Sequence, residues 1–174
     1  MAYALETFCT DARASLKAKP LAGALDDIAA NLTMLLANPD FVKATFNDDL
    51  PPGKRELFHD ADTDFYVFAH VQAEGKGGKP HSHGNSWAIY GNAKGFTEMT
   101  EWRRVNAESE EAHILEQSDK YKLDAGQSRS YGPGVIHSTA HPQKAWVIRV
   151  TGTDLDHLPR YHFNRNRDQI LEKA

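Results

Sequence analysis

Two histidines, His81 and His83, stand one residue apart in Lys-Pro-His-Ser-His-Gly, and a third, His137, follows the turn Gly-Pro-Gly-Val-Ile. On an extended strand, residues two apart share a face, so both imidazoles of the first pair look into the same space. Imidazole is a common metal ligand at neutral pH. Three of them meeting at one point would hold a divalent transition metal with coordination positions left open. For that the two stretches must converge, and the glycines and proline before His137 predict a tight turn feeding a new strand. Three neutral ligands would leave the ion its full double charge, which favours an anionic donor such as a thiolate or enolate at the open positions. His141, four residues after His137, reads either as a further ligand or donor to the site or as a turn histidine before Pro142.

The spacing resembles the two signature motifs of the cupin superfamily. Gly75, His81, His83 and Gly95 fall on the glycine, His-x-His and glycine positions of the first motif, with Ala88 where its glutamate stands. Gly134 and His137 match the second, with Pro133 shifted by one and His141 in place of an asparagine. The resemblance implies a mainly β fold, the cupin double-stranded β-helix or jelly-roll barrel, here with N-terminal α-helices. A cupin without the glutamate must bind its metal through three histidines, and in this the chain resembles the thiol dioxygenases, of which cysteine dioxygenase is the best known. That likeness implies Fe(II) as the metal, other divalent transition metals also suiting imidazole, with dioxygen and a small-molecule substrate as partners.

The likeness extends to Lys54-Arg55-Glu56-Leu57, where Arg55 resembles the arginine with which those enzymes bind the substrate carboxylate. It fails at two places. Their Ser-x-His-x-Tyr triad falls on Val147, Arg149 and Thr151, none of which matches it, and the single cysteine, Cys9, is far upstream of the histidine pair. No cysteine–tyrosine cross-link is expected, and cysteine is a poor candidate substrate. The expected protein is a metal-dependent dioxygenase oxidising a small organic acid, a thiol acid among the candidates. The alternatives are a diketone-cleaving dioxygenase and a non-oxidative cupin: an isomerase, a lyase, or a metal- or small-molecule-binding protein.

Beyond the ligands, Arg55 and Arg149 are the candidates for binding a substrate carboxylate by a bidentate pair, with Arg149 brought inward if residues 147, 149 and 151 share the inner face. Tyr131, Trp87 and Tyr90 are candidate pocket walls. Glu98 is a candidate buried carboxylate on the strand 96–102, where either face is open to being the inner one. His59, His70, His113, His157 and His162 read as surface or core residues.

The elements that must position these groups follow from pattern. Apolar residues at helical spacing over 3–17, and again over 21–46 with a break at Asn38-Pro39-Asp40, predict helices packed on the barrel exterior or on a second subunit, with Cys9 structural. The apolar face leaves room for a homodimer. Pro51-Pro52-Gly53 turns the chain into strands: residues 65–71, with His70 on the face of Tyr66 and Phe68; 87–90; a turn over 91–95; and 146–151. Residues 103–120 read as a charged, solvated connection in which a strand starts near His113. The organisation expected is a single cupin domain over 1–174, with a helical segment 1–47, a barrel 54–155 and a polar tail 156–174 ending in a short helix from Asp168.

Composition bounds the rest. The 174 residues carry 20 Lys and Arg against 24 Asp and Glu, which gives no electrostatic footprint for nucleic acid or an anionic membrane. One cysteine allows no internal disulfide and suits a reducing compartment. With neither a membrane-length apolar run nor a secretory-signal pattern, the expected location is cytoplasmic.

Overall fold

In the computed structural model, residues 3–158, 161–163 and 168–172 are described. Three helices come first: α1 (Leu5–Ala18), α2 (Leu21–Leu36) and α3 (Pro39–Thr45). The break before α3 is a capped helix start. The Asn38 side chain accepts from the Asp40 and Phe41 backbone N–H groups at 3.0 and 3.4 Å, and Pro39 occupies the first turn, where a missing N–H costs nothing.

Two sheets follow. The first, sheet A, has the order β1 (Gly53–His59), β2 (Tyr66–Gln72), β10 (Ala145–Thr151), β5 (Ala88–Lys94), β8 (Ser128–Tyr131). The second, sheet B, runs β11 (Tyr161–His162), β4 (His81–Ser82), β9 (Ile136–His141), β6 (Thr97–Arg104), β7 (Ile114–Leu123), β12 (Gln169–Leu171), with β3 (Lys76–Gly77) also on β9. Apart from the hairpins β1–β2 and β6–β7 and the short successive strands β3, β4 and β11, β12, the chain crosses from sheet to sheet, and strands far apart in the chain pair: β2 with β10, β4 with β9. That crossing between two facing sheets is the jelly-roll connectivity.

The face of β2 and β10 that meets the helices is apolar because it is covered. Val67, Ala69 and Val71 of β2, with Ile148 and Val150 of β10 and Ile89 of β5, pack against Phe8, Ile28, Leu32 and Leu35 of the helices. The apolar stripe of α1 and α2 is therefore covered by this chain's own sheet A, on the barrel exterior. Cys9 lies in that layer, 3% exposed, and burial pushes its thiol up to about 12, so it is an unreactive core residue. The opposite face of sheet A, with Phe68, His70, Tyr90, Val147 and Arg149, turns into the barrel.

The structure redraws three details. Gly91 is no turn residue: β5 runs on to Lys94, and a Cβ at Gly91 would lie 2.7 Å from Leu36 Cδ1 and 2.8 Å from Leu32 Cδ2, so its absence lets α2 sit directly on the sheet. The turn comes at Gly95, whose φ of +69° and closeness to the Lys144 carbonyl both demand glycine. After Asp168 the chain is strand, parallel to β7, and not helix, because Asp168 accepts from the His113 backbone N–H at 3.0 Å and aligns 169–171 with 114–116. The tail's arginines, Arg160, Arg165 and Arg167, lie outside the described residues. No helix among the described residues is long and apolar enough to cross a membrane.

A buried ion pair ties the helices to the barrel. Asp60, 1% exposed, accepts from Arg13 Nε of α1 at 2.7 Å, and also from the Thr63 backbone N–H at 3.0 Å and the Thr63 hydroxyl. Burial alone would raise its carboxyl; Arg13 and Thr63 outweigh it and hold the pKa below the ordinary 3.8. A depressed carboxylate contributes stability that is complete above its unfolded pKa and lost as pH falls through the folded one. Urea melts of Asp60→Asn are accordingly expected to show a less stable protein at pH 7, with the gap from wild type closing below about pH 4. A gap of constant size across that range would exclude the ionic contribution.

Candidate metal centre

Local rules put the three histidines on three short pieces of sheet B and its edge loop. His81 lies on β4 and pairs in register with His137 of β9, so the two side chains stand side by side. His83 follows just past the end of β4, before Gly84, whose φ of +59° makes a left-handed turn. The two motifs are pinned together by their glycines, the Gly134 N–H donating to the Gly84 carbonyl at 2.9 Å. One candidate ligand atom from each of His81, His83 and His137 lies within 4.8 Å of the others. The expected convergence is therefore present.

The chemistry of these groups fits a metal. His137 is fully buried, and neither ring nitrogen forms a hydrogen bond of ordinary geometry. Two buried nitrogens in that state would be costly unless an electrophile takes up a lone pair. Burial, then the adjacent His81, hold its pKa down to about 3 against a weaker opposing contact with the Val135 backbone, so the ring is neutral and able to ligate. At His81 the Lys79 carbonyl lies 3.0 Å from Nδ1, which assigns the proton to Nδ1 and leaves the Nε2 lone pair for the site. No carboxylate joins the cluster among the described residues; Ala88, at the glutamate position, is a buried β5 residue.

The site opens into a cavity of about 390 Å³ between the sheets. His81, Thr139 and His141 line it opposite His70, Tyr90, Val147 and Arg149 of sheet A, with Lys54 and Lys76 at its rim. The inward setting of Arg149 is as the strand alternation expected. Arg55 is not brought there. It sits one residue out of phase with Lys54 on β1, faces α3, and donates through Nη2 to the Thr45 carbonyl at 2.6 Å. The cation that β1 contributes is Lys54, ion-paired with Asp156 and 3.6 Å from Asp154. His141 is 5% exposed and outside the cluster, its Nδ1 3.4 Å from the Thr97 hydroxyl. Burial, then Lys76, lower its pKa to about 4.

Tyr131 is buried at 2% exposure with its ring 4.6 Å from that of His137. Its hydroxyl meets that of Tyr121 at 2.5 Å, and Tyr121 donates to Glu101 at 2.8 Å, which Arg129 approaches at 3.0 Å. Burial and this chain raise both phenols above the ordinary range, so Tyr131 stays protonated and braces the His137 ring. Glu101, not Glu98, is the carboxylate on the inner face. It stands opposite His137 in the β6–β9 register, while Glu98 alternates to the outer face with Thr100. The sequence pattern offered both faces equally, and only the register of β6 on β9 separates them. His70, which the sequence offers as a surface or core residue, lies in the cavity wall. Its position on the face of Tyr66 and Phe68 was the available signal.

No protein-family model and no curated protein sequence matches the chain. Among solved structures, the capsular polysaccharide assembling protein CapF from Staphylococcus aureus aligns at a TM-score of 0.50 with 14% identity, over 68% of this chain and 33% of that one. A protein with a double-stranded β-helix domain from Klebsiella pneumoniae subsp. pneumoniae aligns at 0.46 with 14% identity, over 70% of this chain and 88% of that one. A cupin superfamily protein from Desulfitobacterium hafniense aligns at 0.45 with 11% identity, covering 65% and 87%. The fold is a double-stranded β-helix with N-terminal helices. At such identities the likeness is one of fold and carries no activity.

Proposed function

We propose that this chain is a metal-dependent oxidoreductase that holds one divalent metal, Fe(II) by first preference, through His81, His83 and His137 and uses dioxygen to oxidise a small organic acid. The observation that carries the reading is the convergence of three imidazoles at one side of a cavity whose opposite wall and rim hold Arg149, Lys54 and Lys76. When bound, the metal supplies a Lewis-acidic centre whose undiminished charge favours an anionic donor and, as iron, a means of activating dioxygen. The protein's own groups do the rest. Lys79 and Tyr131 orient the imidazoles, Arg149 and the rim lysines draw in an anion, and Val147 supplies an apolar part of the wall.

The cationic wall favours a carboxylic acid over a diketone, which an apolar cavity would suit. His81 faces the open cavity and His141 stays out of the cluster, which favours a site that turns over substrate above a sealed structural one.

The test is metal analysis of protein purified without added metal, then anaerobic iron(II) loading and oxygen uptake over small carboxylic acids, thiol acids and diketones. Near-stoichiometric metal with uptake triggered by carboxylic acids is the expected result. Metal without uptake on any compound would replace the oxidative reading with that of an isomerase, lyase or binding protein. Protein that takes up no metal would end the three-histidine reading.

A further inference from the structure

The cavity has a second polar focus, on the sheet that faces the histidines. In the β2–β10 register Arg149 is opposite Phe68 and Val147 is opposite His70, which makes Arg149 and His70 diagonal neighbours on one inward face. Arg149 is 9% exposed, and both its Nε and the His70 Nε2 are buried without hydrogen-bond partners. The Phe68 ring, 5.8 Å from the guanidinium carbon, is its aromatic neighbour, and no carboxylate pairs with it among the described residues. A buried cation with no counter-charge and two buried polar nitrogens with no partner are each costly. Such groups persist where a ligand completes them.

The cavity is also short of acids. Asp156 is the sole carboxylate among the residues that line it, and Lys54 already pairs with it. An ammonium group on a ligand would meet Arg149, Lys54 and Lys76 with that one neutralised acid to receive it. The histidine triad, with no carboxylate of its own, forms a separate positive focus on sheet B once it holds a metal.

Building on the reading of the triad as a metal centre, we propose that the Arg149 and His70 side chains form an oxyanion-binding subsite that holds one carboxylate of the substrate on sheet A while its other anionic end faces the triad on sheet B. The substrate is then a short dicarboxylate without an amino group. The His70 ring carries its proton on Nε2 and donates it, Arg149 donates through Nε, and the two ends of the acid bridge the sheets.

Titration calorimetry on the protein with its metal as purified tests this, using malonate and succinate against monomethyl succinate and aspartate. The diacids are expected to bind about tenfold or more tightly than the monoester and the amino acid, since a charge-assisted bond is lost or a repulsion gained in each. In Arg149→Met, of similar length without charge, that preference is expected to vanish while metal content holds and the melting temperature stays level or rises; an arginine with a merely structural role would lower it on removal. His70→Phe, expected to weaken the diacids with metal content unchanged, serves should Arg149→Met not fold. A preference kept in both variants, aspartate binding as tightly as succinate, or no diacid binding at all would overturn the subsite. Metal-free protein that still prefers diacids through Arg149 would support the subsite and overturn the metal centre alone.

Discussion

His137→Ala is expected to weaken metal binding by at least about a hundredfold, since loss of a group that merely orients a ligand already costs about 10–100-fold. The expectation is large because nothing nearby can substitute. His137 is fully buried, its ring is fixed between Tyr131 and His81, and no acid joins the cluster among the described residues. The control is His141→Ala. That residue is also buried and four positions on, but lies outside the cluster, so the variant is expected to keep its metal. Metal content by elemental analysis separates the two. Thermal melts give an independent reading: a ligand present at a hundred times its Kd stabilises the folded state by about 2.7 kcal/mol, so chelator lowers the melting point of wild type and of His141→Ala and leaves His137→Ala unmoved. Equal metal loss in both variants would place His141 among the ligands.

Removal of residues 1–47 is expected to abolish the folded barrel, although all three histidines of the cluster lie beyond them. Phe8, Ile28, Leu32 and Leu35 are fully buried, and Leu25 and Leu36 nearly so, against the outer face of sheet A. At roughly 1.5–3 kcal/mol for each such side chain, their burial is on the order of 10 kcal/mol, as large as the whole net stability of a typical domain, about 5–15 kcal/mol. The truncated protein would also present Val67, Ala69, Val71, Ile148 and Val150 to water on one sheet face, an aggregation-prone surface. Soluble yield and near-ultraviolet circular dichroism of the truncated chain decide the matter. A soluble, metal-binding 48–174 fragment would show that the barrel stands without its helical layer.

Both expectations trace to features that differ in how far the chain announces them. The histidine cluster was legible because a period of two and a Gly-Pro-Gly turn are local: His81 and His83 must share a face, and His137 must open a strand. The helices were legible from periodicity, with Asn38-Pro39 marking the break. The outcome for the charged residues was not. Arg55 and Lys54 are adjacent, and the phase of β1 alone sends one to the helices and the other to the cavity. Glu98 and Glu101 are three apart on β6, and alternation cannot say which face is inner; the pairing of Glu101 with His137 does. Gly91 reads as a turn glycine until α2 is seen resting on it.

The sequence by itself determined which side chains share a strand face and where the chain turns, since both are consequences of backbone geometry over a few residues. Only the tertiary structure decided which face became the inside, because that depends on which strands, tens of residues apart, pair across the sheets and in what register. A one-residue slip would move Arg149 and His70 from the cavity into the helical layer and bring Ile148 and Ala69 in their place.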